Sequence, residues 1–214
     1  MNSNELKSIA LSTGLILLNI AVMAVVAVTP LAGITGLLFT VPIIGMIIFG
    51  AGLALGRSLA KKGMKQDHTG LAGLGLTLLQ LTYGVFGGGI LSFVPPRFFP
   101  IVLGITAVVT TVIAVAAALL VYGTSRSFRK WGKYSNYLFI SAFVTGLIGS
   151  ALTPLLLLTF ILVLAGFLVY LVYELWRMKK RPGRVIMNAI GIYIAYMGVF
   201  VEILQIIIEM LGDR

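Results

Sequence analysis

The sequence predicts an all-α polytopic membrane protein, seven transmembrane helices forming a single domain over residues 1–214. Three observations predict it. Hydrophobic residues make up 59% of the chain and charged residues only 10%; soluble domains carry roughly a quarter charged residues, so no solvated surface can be built from this composition. Apolar stretches long enough to cross a bilayer recur along the whole chain. Thirteen of the sixteen Lys and Arg residues fall in three short clusters between those stretches.

A helix crosses ~30 Å of hydrocarbon with about 20 residues, so longer apolar stretches must be cut where Pro and Gly turn the backbone. Span one covers 9–29 and is ended by Pro30 and an uncharged turn. It follows a start with a single Lys and exceeds the ~7–15-residue core of a signal peptide, so it reads as a retained span. Span two covers 35–55, with Pro42 inside it and a basic loop after it. Span three, 70–94, is stopped by Pro95, Pro96 and Arg97, and span four, 100–122, leads into the second basic loop. From Tyr137 to Trp176 no charge precedes Glu174, and one helix of that length would measure about 60 Å, twice the core thickness. Thr153–Pro154 is where it folds back, because Pro removes a donor and biases the preceding residue away from helix. Span five is then 137–152, span six 155–176, and span seven 185–211.

The basic clusters are Arg57, Lys61, Lys62 and Lys65; Arg126, Arg129, Lys130 and Lys133; and Arg177, Lys179, Lys180, Arg181 and Arg184. They are read as loops at 57–69, 123–133 and 177–184. Seven spans put all three on one side, and the excess of cations places that side and the N-terminus in the cytoplasm, with the C-terminus outside. The net charge of +10 then serves topology and contact with anionic lipid head groups, and nucleic acid is not an expected partner, since the basic runs lack the interleaved aromatics of such surfaces. The absence of Cys removes disulfides, thiol catalysis and thiolate metal sites. The single His68, beside Asp67, reads as a loop residue, and no metal or cofactor is expected. The missing Cys and short termini point to a prokaryotic inner membrane. Gly52 with Gly56, and Gly84 with Gly88, have the four-residue spacing of close helix packing.

Charge within hydrocarbon costs at least ~2.5–3.5 kcal/mol, so the acidic residues inside spans are the candidate functional groups. Glu174 stands near the cytoplasmic end of span six. It either pairs locally with Arg177 one turn later or meets Arg57, which ends span two at the same boundary and could instead snorkel to phosphate. Paired with Arg57 it would close a cytoplasmic gate able to respond to pH. Glu202 and Glu209 are seven residues apart on one face of span seven, which Ala195 and Gly198 extend inward. These three, Glu202, Glu209 and Gly198, are pore-facing candidates; solvent access at the boundary is the alternative for Glu209.

Three stretches resemble the Bax inhibitor family, the transmembrane Bax inhibitor motif proteins. The first is Val121-Tyr122-Gly123-Thr124-Ser125-Arg126 with Trp131-Gly132-Lys133, similar to the family's loop between spans four and five. The second is Tyr173-Glu174, where the family has Tyr-Asp. The third is Ile192-Tyr193-Ile194-Ala195 followed by Phe200, Ile203 and Leu204, which looks like the aliphatic-Tyr-aliphatic-Asp opening of the family's last helix. The resemblance implies six helices around a central seventh, and a pH-sensitive calcium leak governed by two aspartates and a nearby Arg. Carried over, Glu174 matches the first Asp conservatively, Arg57 matches the span-two Arg, and Ala195 stands at the second Asp. A shared-proton pair needs two close carboxylates, so the pH response is weaker here, or the chain does not conduct, or the carboxylate has moved to Glu202.

No nucleophile-base pair, phosphate loop or zinc motif is present, so an enzyme is not expected. The leading expectation is a pH-modulated leak channel for calcium or other cations, gated near Glu174 and Arg57. The alternative is a non-conducting regulator that binds other membrane proteins, such as a membrane protease. A secondary transporter would show two related halves with discontinuous helices, and no such repeat is visible.

Overall fold

The computed structural model describes residues 1–33, 35, 42–149 and 153–212. Seven long helices are found among the described residues: α1 (Ser3–Ala27), α2 (Pro42–Lys65), α3 (Thr69–Leu91), α4 (Phe99–Gly123), α5 (Trp131–Gly149), α6 (Thr153–Lys180) and α7 (Val185–Gly212). A short 3₁₀ turn, Pro96–Phe98, precedes α4.

The helix ends differ from the expected spans because apolarity marks the membrane, whereas backbone capping marks the helix. α1 begins at Ser3 rather than near residue 9. A capping box starts it there: Glu5 N donates to Asn2 Oδ1 at 2.9 Å and Asn2 N donates to Glu5 Oε2 at 2.8 Å, satisfying two of the free donors of the first turn. The described part of α2 opens at Pro42; the expected start of span two near Thr35 leads into 36–41, outside the described residues. Thr153 and Pro154, where a turn is expected, are both helical. Both residues belong to the first turn of α6, where a missing N–H has no intrahelical partner to lose, and 150–152 lie outside the described residues.

Two of the expected basic loops are helical. α2 continues to Lys65, so Arg57, Lys61, Lys62 and Lys65 line its last turns and only residues 66–68 connect it to α3. Arg177, Lys179 and Lys180 likewise end α6. Cations at a helix C-terminus interact favourably with its dipole, and no proline interrupts either run. His68 caps α3, its Nδ1 accepting from Leu71 N at 3.2 Å. Asp67 has φ 51°, the left-handed conformation that Asp tolerates in a tight turn.

Five of the helices, α1, α3, α4, α6 and α7, are long and apolar enough to cross a membrane, which makes the chain an integral membrane protein. α5 opens on the polar run Trp131-Gly132-Lys133-Tyr134-Ser135-Asn136, and α2 and α5 each adjoin residues outside those described.

Close backbone approach holds α1, α2 and α3 together. A Cβ at Gly75 would fall on the Ala60 backbone, and one at Gly56 would crowd Leu79 and the Gly75 carbonyl. Gly52 lies against Thr82, while Gly84 and Gly88 receive Val22 and Val26 of α1. In lipid, where apolar burial drives little association, such approach and polar contacts do the packing. Asn19 supplies the polar part: its Nδ2 donates to Gln80 O at 2.9 Å and Gln80 Oε1 at 2.7 Å, and lies 3.0 Å from the Tyr193 hydroxyl. Tyr83 donates to the Ile194 carbonyl at 2.7 Å. α7 is thereby tied to α1 and α3, and it also packs on α4 and α6; its residues from Ala189 to Phe200 are largely buried.

Candidate functional site: a buried carboxylate between two arginines

Glu174 is fully buried, with 0% of its side chain exposed. It sits in the last third of α6, on the side facing α7, where Gly191 leaves the space it fills: a Cβ at Gly191 would overlap the Glu174 carboxylate and lie 2.8 Å from Arg177 Nη2. Arg177 Nη2 is 2.6 Å from Glu174 Oε2, and the same nitrogen donates to the Met187 carbonyl at 2.9 Å. Arg57 Nη2, on α2, lies 3.8 Å from Glu174 Oε1. Its guanidinium rests 4.9 Å above the Tyr170 ring, a cation–π geometry. The Arg57 side chain is 45% exposed and that of Arg177 20%.

These contacts are ion pairs and not directed hydrogen bonds, since neither carboxylate oxygen receives an N–H at hydrogen-bonding angle. A cavity of about 50 Å³ adjoins the group, lined in part by Arg57, Tyr170, Arg177 and Gly191; it exceeds the ~30 Å³ share of one water. Two guanidiniums therefore face one carboxylate. An ionised Glu174 leaves a net positive charge at this end of the bundle.

Two larger cavities share lining residues in sequence with it. One of about 340 Å³ shares Arg57, Tyr170 and Ile194 with the small cavity and runs between α2, α5 and α6. The next, about 510 Å³, shares Phe49 and Val163 with it and reaches Glu202, Gln205 and Glu209 at the opposite end. Glu202 is 8% exposed, whereas Glu209 is exposed and accepts from Gln205 Nε2 at 2.8 Å.

The structure thus brings Glu174 and Arg57 together and adds Arg177 to the same pair. The two sequence alternatives for Glu174, a local partner and a partner across the bundle, occur at once. Ala195 is buried, one turn beyond Gly191, so it stands about 6 Å along α7 from the level of Glu174. Glu202 and Glu209 line one cavity, as their shared face suggests. Gly198 differs from its expected pore-facing position: it is packed under the Phe167 ring, which a Cβ there would strike, because the stripe of small residues serves α6–α7 packing. Sequence reasoning missed Tyr170, Gly191 and the Asn19–Gln80–Tyr193 network. Gly191, four residues before Ala195 on the small-residue stripe, was the visible signal for the first contact with Glu174.

The family model described as inhibitor of apoptosis-promoting Bax1 matches residues 6–212, nearly the whole chain. The chain belongs to the Bax inhibitor family. No curated protein and no solved structure matches it. Family membership accords with a membrane regulator or a channel-like role, and the three motif stretches that carried the resemblance lie at α4–α5, α6 and α7, around Glu174.

Proposed function

We propose that this chain is a seven-span, pH-modulated leak channel for calcium or other cations, gated at Glu174 and Arg57, with the basic end and the N-terminus in the cytoplasm of a prokaryotic cell. The observation that carries it is the buried Glu174 held between Arg57 and Arg177 at the head of a succession of cavities leading to Glu202 and Glu209. A path for ions through a bundle needs ionisable groups facing inward, and these stand at its two ends, with a mainly apolar stretch lined by Leu53, Phe139, Val163 and Phe167 between them.

In the closed arrangement the two guanidiniums oppose an approaching cation. Protonating Glu174 removes the charge that holds Arg57. The half-exposed guanidinium is then free to leave for water or lipid phosphate, which unblocks the passage its side chain lines while Arg177 stays in place. Leak rises as pH falls. With Ala195 in place of a second carboxylate, only Glu174 takes up the proton, so the response follows a single titration and is less steep than that of a coupled pair. The basic helix ends hold anionic head groups. No step calls for a cofactor, a metal ligand set or an enzymatic group.

A second reading is favoured by the same excess of positive charge: a chain whose gate keeps two arginines on one carboxylate is a non-conducting regulator that engages another membrane protein. Reconstitution into vesicles holding a calcium-sensitive dye separates the two. A leak proportional to protein content supports the channel. No flux at any pH, together with a stable co-purifying membrane protein, supports the regulator.

A further inference from the structure

Among the described residues Glu202 is a buried acid without a partner. It is 8% exposed, lines the cavity of about 510 Å³ at the end opposite the basic clusters, and has no hydrogen bond or ion pair among the described residues. No Lys or Arg is among the described residues lining that cavity. An ionised carboxylate in such a place is costly unless something positive comes to it.

The chemistry of the walls says what kind of cation fits. A hard metal ion asks for about six oxygen ligands converging on one point. Here Glu209 lies two turns from Glu202 and is engaged with Gln205, while the Thr159 hydroxyl donates to Leu155 O at 2.8 Å. Glu202 is the buried acid of this lining, and no converging set of oxygens is centred on it. The rest of the surface is aromatic: Phe49, Phe86, Phe93 and Phe160 contribute to it, and the Phe49 and Phe86 rings stand 4.5 Å apart at 40°. One counter-charge and several ring faces are what an organic ammonium group requires, since its charge is spread, weakly hydrated and attracted to π faces. The volume lies within the ~300–1,000 Å³ of small-molecule sites.

We propose that this cavity is a binding site for an amphiphilic organic cation, a protonated or quaternary amine with an apolar body, with Glu202 as its counter-ion and the phenylalanines as its walls. The proposal does not depend on conduction. It concerns the end of the bundle away from Glu174, and a binding measurement reads it whether or not ions pass.

The test is equilibrium binding of benzyltrimethylammonium and its neutral carbon isostere neopentylbenzene to the purified protein in detergent micelles, with protein-free micelles as blank. The ammonium is expected to bind saturably and at least about tenfold more tightly than the isostere, a difference of about 1.4 kcal/mol. Glu202→Gln, nearly isosteric, should abolish that preference, and Phe49→Leu should weaken ammonium binding severalfold while leaving the isostere unchanged. Glu209→Gln, at an exposed position, should alter binding less than about twofold, as expected of a screened surface charge. Equal binding of the two probes, or a preference that survives Glu202→Gln, overturns the proposal. So does saturable calcium binding lost in Glu202→Gln with no ammonium binding, which would make the cavity an inorganic-ion site.

Discussion

Substituting Gly191 by Ala probes the space on which the Glu174 site depends. The added methyl would overlap the Glu174 carboxylate and lie 2.8 Å from Arg177 Nη2. Both are ends of side chains and the adjoining cavity gives them some room, but yielding pulls Glu174 from Arg177 and Arg177 from the Met187 carbonyl, which it holds at 2.9 Å. In an open helix position Gly→Ala stabilises by ~0.8–1.0 kcal/mol. Overpacking costs ~1–3 kcal/mol, and disturbing a buried ion pair adds to this, up to the ~3–5 kcal/mol of removing one partner. The net expectation is destabilisation by about 1–3 kcal/mol. Denaturant unfolding in mixed micelles measures it, with Gly104→Ala as control, since a Cβ there meets nothing within 4 Å. Adding Glu174→Ala to Gly191→Ala should recover part of the loss, giving a coupling of about 1 kcal/mol or more. If Gly191→Ala is as stable as the control, the carboxylate does not occupy the space beside α7 and the site as described is wrong.

Arg57→Ala is expected to raise basal calcium leak in vesicles, because it removes one of the two positive groups facing Glu174; a leak equal to that of the parent would make Arg57 a lipid-facing anchor. Ala195→Asp places a second carboxylate one turn from the level of Glu174, and a shared proton should steepen the pH response of the leak. An unchanged profile in a folded, inserted variant would show that the α7 stripe does not meet Glu174. For topology, single cysteines at Gln66 and Arg97, both exposed, should react with an impermeant reagent from opposite sides of the membrane, and one at Gly183 from the side of Gln66. Reaction of Gln66 and Gly183 positions from different sides would mean that the helices between them do not cross an even number of times.

Much of the fold is written in gross features of the chain. The alternation of apolar stretches with basic clusters locates α1, α3, α4, α6 and α7, because lipid demands that each crossing satisfy its own backbone. Helix ends are less legible. The capping box of Asn2 and Glu5 extends α1 through polar residues that hydropathy excludes, and Arg57 to Lys65 continue α2 where charge alone suggests a loop. Within the site, Glu174 stands out since a carboxylate in a span is costly, and Arg57 follows from its place at the same boundary. The role of Gly191 depends on which face of α7 meets α6, and that rotation is fixed by contacts such as Asn19 with Gln80 and Tyr83 with Ile194, between helices whose register no single span reveals. The same holds for Gly198, whose lack of a side chain serves equally for a pore wall or for seating Phe167.

On this reading Glu174 carries the pH response of a leak through the bundle. The most direct measurement is calcium entry into dye-loaded vesicles, parent against Glu174→Gln, stepped between about pH 8 and pH 5 with protein content matched. Protonation discharges the pair, so the parent leak should rise as pH falls, and Glu174→Gln, which mimics the protonated group, should leak at a high and pH-independent rate. A parent and variant that share one pH profile, or a variant that stays closed throughout, would contradict it.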